Sequence, residues 1–235
     1  MVTRMTFRTA ERVALSREID AASSLLRHGF EILGGYRFAS SDADPLFACL
    51  AGGTEKLLKL TFGLMTVDDG SYWPSKATMQ GAGHKIVELD TTVRGLLVER
   101  QGRSSAPGLI AQLLDMTDRH PGVVQVLLTL ERYAVNGRFF NLDLLGGRTQ
   151  PNPAPEDLWA ELERDIVEAN PGMLDQVAAR QHERFRQDMN GIIARSLGLW
   201  CELLARSWVT GVCGELAQEC APQLELGHPT PRVRP

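Results

Sequence analysis

Residues 192–216 read IIARSLGLWCELLARSWVTGVCGEL, a stretch in which apolar side chains recur at helical spacing. That spacing fits the 3.6-residue period of an α-helix and places the apolar residues on one nearly continuous stripe. Such a stripe is more typical of a core or an oligomer seam than of a ligand pocket. We therefore expect this helix to pack on the rest of the chain or on a second copy, and we predict a homodimer or a helical protein partner. The stripe consists of Ile192, Ile193, Leu197, Trp200, Leu203, Leu204, Trp208, Val212 and Leu216.

Outward from this stretch, the chain repeats the helical pattern between Gly and Pro breaks, with almost no alternating strand pattern. A first helix is predicted from Thr9 to Leu33, and a second from Asp44, whose carboxylate can cap first-turn amides ahead of Pro45. Further helices are predicted near His84, near Pro107 and after Pro121. The fold class predicted is all-α, an antiparallel helical bundle with a C-terminal helical extension.

The main boundary is the segment RTQPNPAPED at residues 148–157, where three prolines in five positions indicate a stiff connector. Beyond it, a short helix ends at Asn170-Pro171, and a long helical region follows with a possible break near Gly191. The predicted organisation is an N-terminal bundle at 1–146, a connector at 147–155, C-terminal helices at 156–221 and a disordered tail at 222–235.

Charge is unevenly distributed. The 235 residues contain 25 Lys and Arg against 29 Asp and Glu, a net charge of −4, which excludes a globally basic nucleic-acid binder. Residues 151–221 hold 12 acidic and 6 basic side chains, a net charge of −6, whereas the remainder is +2. A solvated helix face explains such asymmetry in most proteins. If the asymmetry instead serves a function, an anionic ligand such as RNA would bind the N-terminal half of the chain.

Localisation and cofactors are predicted mainly from what the sequence lacks. No signal peptide precedes residue 20, and no apolar run approaches the roughly 20 residues of a membrane span. We expect a cytoplasmic protein without membrane association. The four cysteines, Cys49, Cys201, Cys213 and Cys220, form no C-x-x-C pair, so free thiols are expected. Neither a metal nor a cofactor is predicted.

The segment from Gly52 to Leu89 contains GGTEKLLKLTFGL, a loop, and then GHKIVEL. It resembles the central helix pair of the HEPN (higher eukaryotes and prokaryotes nucleotide-binding) superfamily, in which a Glu-Lys-x-Leu-Lys helix precedes a Gly-His helix start. The resemblance implies an antiparallel helical bundle and nucleotide or RNA binding. The matching positions are Glu55, Lys56, Leu58, Lys59, His84, Ile86 and Leu89.

The same residues also have a purely structural interpretation. Glu55 and Lys59 are spaced i,i+4 and would form a modest surface pair of about 0.2–0.5 kcal/mol. Gly52 and Gly53 could allow close helix contact. His84 could cap a helix or contact a neighbour.

Active HEPN ribonucleases share an Arg-x(4–6)-His pair. Two copies of this pair meet across a dimer interface and cleave RNA without a metal. None of the five histidines here lies five to seven residues after an arginine. The resemblance therefore implies binding without the usual catalytic pair.

The nearest substitute lies between Glu131 and Asp143, ERYAVNGRFFNLD. Guanidinium groups supply forked donors for phosphate, and aromatic faces can stack bases. Alternatively, the aromatic residues enter the core and the arginines pair with Glu131 and Asp143. The candidate nucleotide or phosphate ligands from both regions are Lys56, His84, Arg132, Arg138 and Asn141.

Three functions remain open. The first is a HEPN-like protein that binds RNA or nucleotide in a regulatory or defence-related role. The second is a non-enzymatic structural or adaptor bundle that works through protein–protein contacts. The third is a divergent ribonuclease built around Arg132 and Arg138.

Overall fold

The structure, a computed structural model, describes residues 7–70, 72–81 and 83–227. Over these ranges the chain forms eleven α-helices and no β-strand. The predicted all-α helical bundle is confirmed. None of the helices in the described ranges is long and apolar enough to cross a membrane. The helices are α1 (Thr9–Gly35), α2 (Ala39–Asp68), α3 (Lys76–Gly81), α4 (Ile86–Arg100), α5 (Pro107–Asp118), α6 (Pro121–Val135), α7 (Phe140–Leu145), α8 (Pro155–Ala169), α9 (Gly172–Ala178), α10 (His182–Val209) and α11 (Glu215–Cys220).

Helices α1 and α2 form a closely packed antiparallel hairpin. Two glycines allow the close approach. A Cβ atom at Gly29 would lie 2.3 Å from Leu50 Cδ2, and one at Gly53 would lie 2.7 Å from Leu26 Cγ and 3.0 Å from its backbone nitrogen. The predicted close contact at Gly53 is therefore confirmed, and it sets the spacing of the two helices that carry the candidate site.

Helix α10 lies in the centre of the bundle and packs against α1, α5 and α6. The indole nitrogen of Trp200 donates to Asp90 Oδ1 on α4 at 2.7 Å, and that of Trp208 donates to Thr61 Oγ1 on α2 at 2.9 Å. Both indole rings are fully buried. The helix that was expected to form a C-terminal extension is thus part of the bundle core, and its apolar stripe is covered within one chain.

Arg100, at the end of α4, joins three parts of the fold. Its Nε donates to Val212 O in the turn before α11, and its Nη1 donates to Met65 O near the end of α2, each at 3.0 Å. The guanidinium also pairs with Asp68 and with Asp69, the latter at 2.8 Å. The Arg100 side chain is only 5% exposed, whereas those of Asp68 and Asp69 are 25% and 47% exposed, so a buried cation pairs with carboxylates that still reach water.

Two predicted helix boundaries are wrong. Helix α2 begins at Ala39 rather than Asp44, because Asp42 Oδ2 accepts the backbone N–H groups of Arg37 and Phe38 at 2.8 and 3.0 Å. Pro45 therefore lies inside the helix. Helix α10 continues through Gly191, whereas the chain breaks between α9 and α10, where Arg180 adopts a φ of 58°.

Residues 222–227 of the expected disordered tail lie on α1. The backbone N–H of Glu225 donates to Ser23 Oγ at 3.3 Å, Ser23 Oγ donates to Gln223 O at 3.4 Å, and Leu226 is buried. The remaining tail residues, 228–235, lie outside the described residues.

Candidate functional site

A cluster of three ionisable side chains links α2 to the start of α4. Glu55 Oε1 accepts a hydrogen bond from Lys59 Nζ at 2.6 Å, and Glu55 Oε2 accepts one from His84 Nδ1 at 2.8 Å. The structure therefore brings together three of the residues that carry the family resemblance. With Nδ1 directed to the carboxylate, His84 keeps Nε2 available for another partner.

The electrostatics of Glu55 favour its charged form. Burial of this carboxyl raises its pKa, but the hydrogen bonds and charges of His84 and Lys59 outweigh burial and lower the pKa below its usual value of 4.5. Glu55 is thus a fixed anion at neutral pH that orients the imidazole and one ammonium group.

Glu55 and Lys59 line a cleft of about 380 Å³ between α1, α2 and the loop that follows α2. This volume lies within the usual range for small-molecule sites. The remaining lining residues are Glu18, Gly52, Lys56, Leu60, Trp73 and Met79.

Trp73 forms one wall of the cleft because Gly63 leaves room for its ring. A Cβ atom at Gly63 would lie 2.5 Å from the indole. Phe7 packs edge-on against the same ring, with the ring centroids 6.3 Å apart. Trp73 also borders a neighbouring cleft of about 330 Å³, lined mainly by Phe7, Ala14, Leu15 and Leu60. The polar cleft therefore continues into a more apolar groove.

Lys56 forms an ion pair with Glu18 across the α1–α2 surface. Both side chains are partly exposed, and exposed pairs of this kind contribute only about 0–1 kcal/mol. Lys56 can consequently exchange this carboxylate for another anion at little cost.

Arg132 is held by the proline-rich connector. Its Nε donates to Pro153 O at 2.7 Å, and its Nη2 donates to Asn152 O at 3.2 Å and to the side chain of Gln150. The guanidinium therefore donates hydrogen bonds to carbonyl groups of the extended connector that have no partner in a helix or sheet. Three of its five N–H donors are thus used within the chain.

Arg138 and Asn141 are exposed near α7, and no hydrogen bond or ion pair in the described residues connects them with Lys56 or His84. The Arg138 guanidinium lies 5.0 Å above the ring of Phe139. The expected site is therefore divided between two places.

The structural interpretation of residues 131–143, in which the aromatic residues enter the core and the arginines pair with Glu131 and Asp143, is confirmed in part. Tyr133 is buried and donates to Asp44 Oδ1 at 2.9 Å, whereas Phe139 is about half exposed. The arginines do not pair with the two acidic residues as suggested. Glu131 instead accepts the backbone N–H of Val87 at 2.7 Å, and Asp143 accepts from Gln150 Nε2 at 2.6 Å.

Sequence reasoning missed Trp73, Glu18 and Met79. All three reach the cleft through tertiary contacts that no local spacing reveals. Gly63 is a weak signal for the position of Trp73, because a glycine inside an apolar helix often marks a place where another part of the chain approaches closely.

No group of three metal-ligating side chains occurs in the part of the chain that the structure describes. His228 lies outside it. Comparison with protein-family models, with curated proteins and with solved structures gave no match.

Proposed function

We propose that this protein binds a nucleotide, free or at a single-stranded RNA end, in the cleft between α1, α2 and Trp73. The observation that carries the proposal is that two lysines and one partly buried indole line the same cleft. The resemblance to the HEPN superfamily implies a regulatory or defence-related role for such binding.

Trp73 would receive the base. One part of its ring rests on Gly63, while the ring also lines the cleft. Stacking of a base on an aromatic side chain contributes about 1–3 kcal/mol and requires no particular base. The cleft is therefore suited to nucleotide recognition with little sequence preference.

Lys56, Lys59 and His84 would receive the phosphate. Each ammonium has three N–H donors, of which the structure uses one for Glu18 or Glu55. The imidazole of His84, bonded to Glu55 through Nδ1, would add a further contact through Nε2. Charge-assisted hydrogen bonds from these groups to phosphate oxygens are stronger than neutral ones.

Intrinsic tryptophan fluorescence tests the proposal directly. Trp159, Trp200 and Trp208 are buried, so Trp73 is the tryptophan that a ligand in solution can reach. We expect adenosine monophosphate to quench its emission in a saturable way. The Trp73→Phe variant should lose this signal, and calorimetry should report weaker binding.

Charge variants separate specific binding from a general charge effect. The Lys56→Gln, Lys59→Gln double variant should raise the Kd for adenosine monophosphate about tenfold or more. Lys85→Gln is the matched control, because Lys85 pairs with Glu88 and does not line the cleft. Absence of quenching, or equal losses in both variants, would overturn the proposal.

Labelled single-stranded RNA distinguishes binding from cleavage. We expect a 5′-phosphorylated oligonucleotide to compete with adenosine monophosphate and to remain intact on a denaturing gel. Cleavage would favour the divergent ribonuclease instead.

A further inference from the structure

Helix α7 projects apolar side chains into solvent. Leu142 is 64% exposed and Leu145 is 84% exposed, while Leu144 and Phe139 are each about half exposed. The segment from Phe139 to Leu145 thus carries four uncovered apolar side chains close together, whereas apolar residues scattered singly over a protein surface are normal.

Two arginines flank this apolar surface. Arg138 and Arg148 are exposed, and neither forms an ion pair with a carboxylate in the described residues. We define the α7 patch as residues 138–148. It combines uncovered apolar groups with two positive charges and one half-buried carboxylate, Asp143, which accepts from Gln150. The patch lies beside the N-terminal end of α8, since a Cβ atom at Gly137 would meet Pro155.

The opposite end of α8 carries a complementary surface. Helix α9 exposes Leu174 and Val177, the former at 57%. Asp175 lies between them, and Glu168 precedes them at the end of α8; both are exposed, and neither forms an ion pair in the described ranges. We define the α9 patch as residues 168–177. It combines apolar groups with negative charge.

We infer that these two patches bind each other in a symmetric homodimer, with the α7 patch of one copy on the α9 patch of the other. The inference is independent of the cleft. In a two-fold dimer a contact between two different patches occurs twice, once in each direction. Helix α8 has 15 residues and spans about 22 Å, so the two contacts would lie about that far apart.

Charge supports a second copy rather than an anionic membrane as the occupant. Residues 151–221 carry a net charge of −6, and the first of their carboxylates, Glu156 and Asp157, lie in the first turn of α8, the helix beside the α7 patch. An anionic surface that attracts Arg138 and Arg148 would repel this region, whereas a second copy uses both charges.

Light scattering after size exclusion tests the dimer with the full chain. We expect a dimer at micromolar concentration that weakens as salt is raised. The Leu142→Asp, Leu145→Asp double variant should raise the dimer Kd about tenfold or more. Val98→Asp, on an exposed position of α4 outside both patches, should leave it unchanged.

Charge reversal provides the stricter test. One variant carries Arg138→Glu and Arg148→Glu, and the other carries Glu168→Lys and Asp175→Lys. Each alone should be monomeric, because both of its contacts place like charges together. Their mixture should form a 1:1 heterodimer, since every contact is then between opposite charges. Because all four residues are exposed, circular dichroism should show native folding.

Three outcomes would overturn the inference: a wild-type monomer at 100 times the tested micromolar concentration, a dimer that survives both charge reversals, or no heterodimer in the mixture. Sedimentation with anionic vesicles in the absence of self-association would assign the α7 patch to a lipid surface instead.

Discussion

Replacing Arg100 with Met removes a buried cation that holds α2, α4 and the turn before α11 together. In the variant, Met65 O and Val212 O lose their donor, and Asp68 and Asp69 lose one of two arginine partners. Breaking a buried ion pair typically costs about 3–5 kcal/mol. We expect a loss of that size in the free energy of unfolding.

Simple addition of hydrogen bonds would give a larger figure. Bonds to charged groups are worth about 1.5–3 kcal/mol each, and Arg100 makes several. However, the carboxylates retain Arg103, which pairs with Asp68 at 3.0 Å and with Asp69 at 3.1 Å, and both are partly accessible to water. The lower estimate of about 3–5 kcal/mol therefore applies, equivalent to about 6–20 °C in Tm for a chain of this size.

Arg103→Met is the matched control, because Arg103 contacts the same two carboxylates but is 54% exposed. An exposed pair contributes about 0–1 kcal/mol. The assay is urea denaturation of both variants followed by circular dichroism. The loss of unfolding free energy in Arg100→Lys should lie between those of the two Met variants, because lysine keeps the charge but cannot reach every acceptor. Equal losses for Arg100→Met and Arg103→Met would refute the reasoning.

Three further predictions concern single contacts. Thr61→Val leaves the buried indole N–H of Trp208 without its acceptor and should cost about 1–3 kcal/mol in chemical denaturation. Gly63→Ala places a Cβ 2.5 Å from the Trp73 ring, so tryptophan emission should shift to the red and acrylamide quenching should increase. Glu55→Gln should destabilise the protein above pH 4.5, and its difference from wild type should shrink as pH falls further, because the lowered pKa of Glu55 makes its contribution vanish on protonation.

Each of these has a contradicting result. Thr66→Val, whose hydroxyl bonds only within its own helix, should be nearly neutral, so an equal loss there would contradict the role of Thr61. Unchanged emission in Gly63→Ala would mean that Trp73 does not rest on Gly63. A difference between wild type and Glu55→Gln that is constant from pH 7 to pH 3 would contradict the lowered pKa.

Local patterns were sufficient for the helices themselves. Pro107 and Pro121 begin α5 and α6 as predicted, because a proline in the first turn lacks only a donor that the helix does not use. The same reasoning placed the start of α2 too late at Pro45. There Asp42 caps the helix earlier, and the proline costs a single hydrogen bond within α2.

The candidate site was only partly predictable. The contact between Glu55 and Lys59 follows from helical spacing, and the family resemblance drew attention to His84. The part played by Trp73 depends on how the loop after α2 folds back, which no residue spacing encodes. The carbonyl groups of Asn152 and Pro153 that accept from Arg132 lie 20 and 21 residues further along the chain, beyond the reach of helical spacing.

The central position of α10 has a consequence for how the chain reaches its fold. The partners of Trp200 and Trp208 lie 110 and 147 residues earlier, so the core closes only when the last helices are available. Contacts at such separation slow folding, because the intervening chain must first be ordered. A nascent chain that ends before α10 would leave the faces of α1, α5 and α6 that pack against α10 uncovered. Incomplete chains of this kind expose apolar surface, which is the feature that chaperones bind.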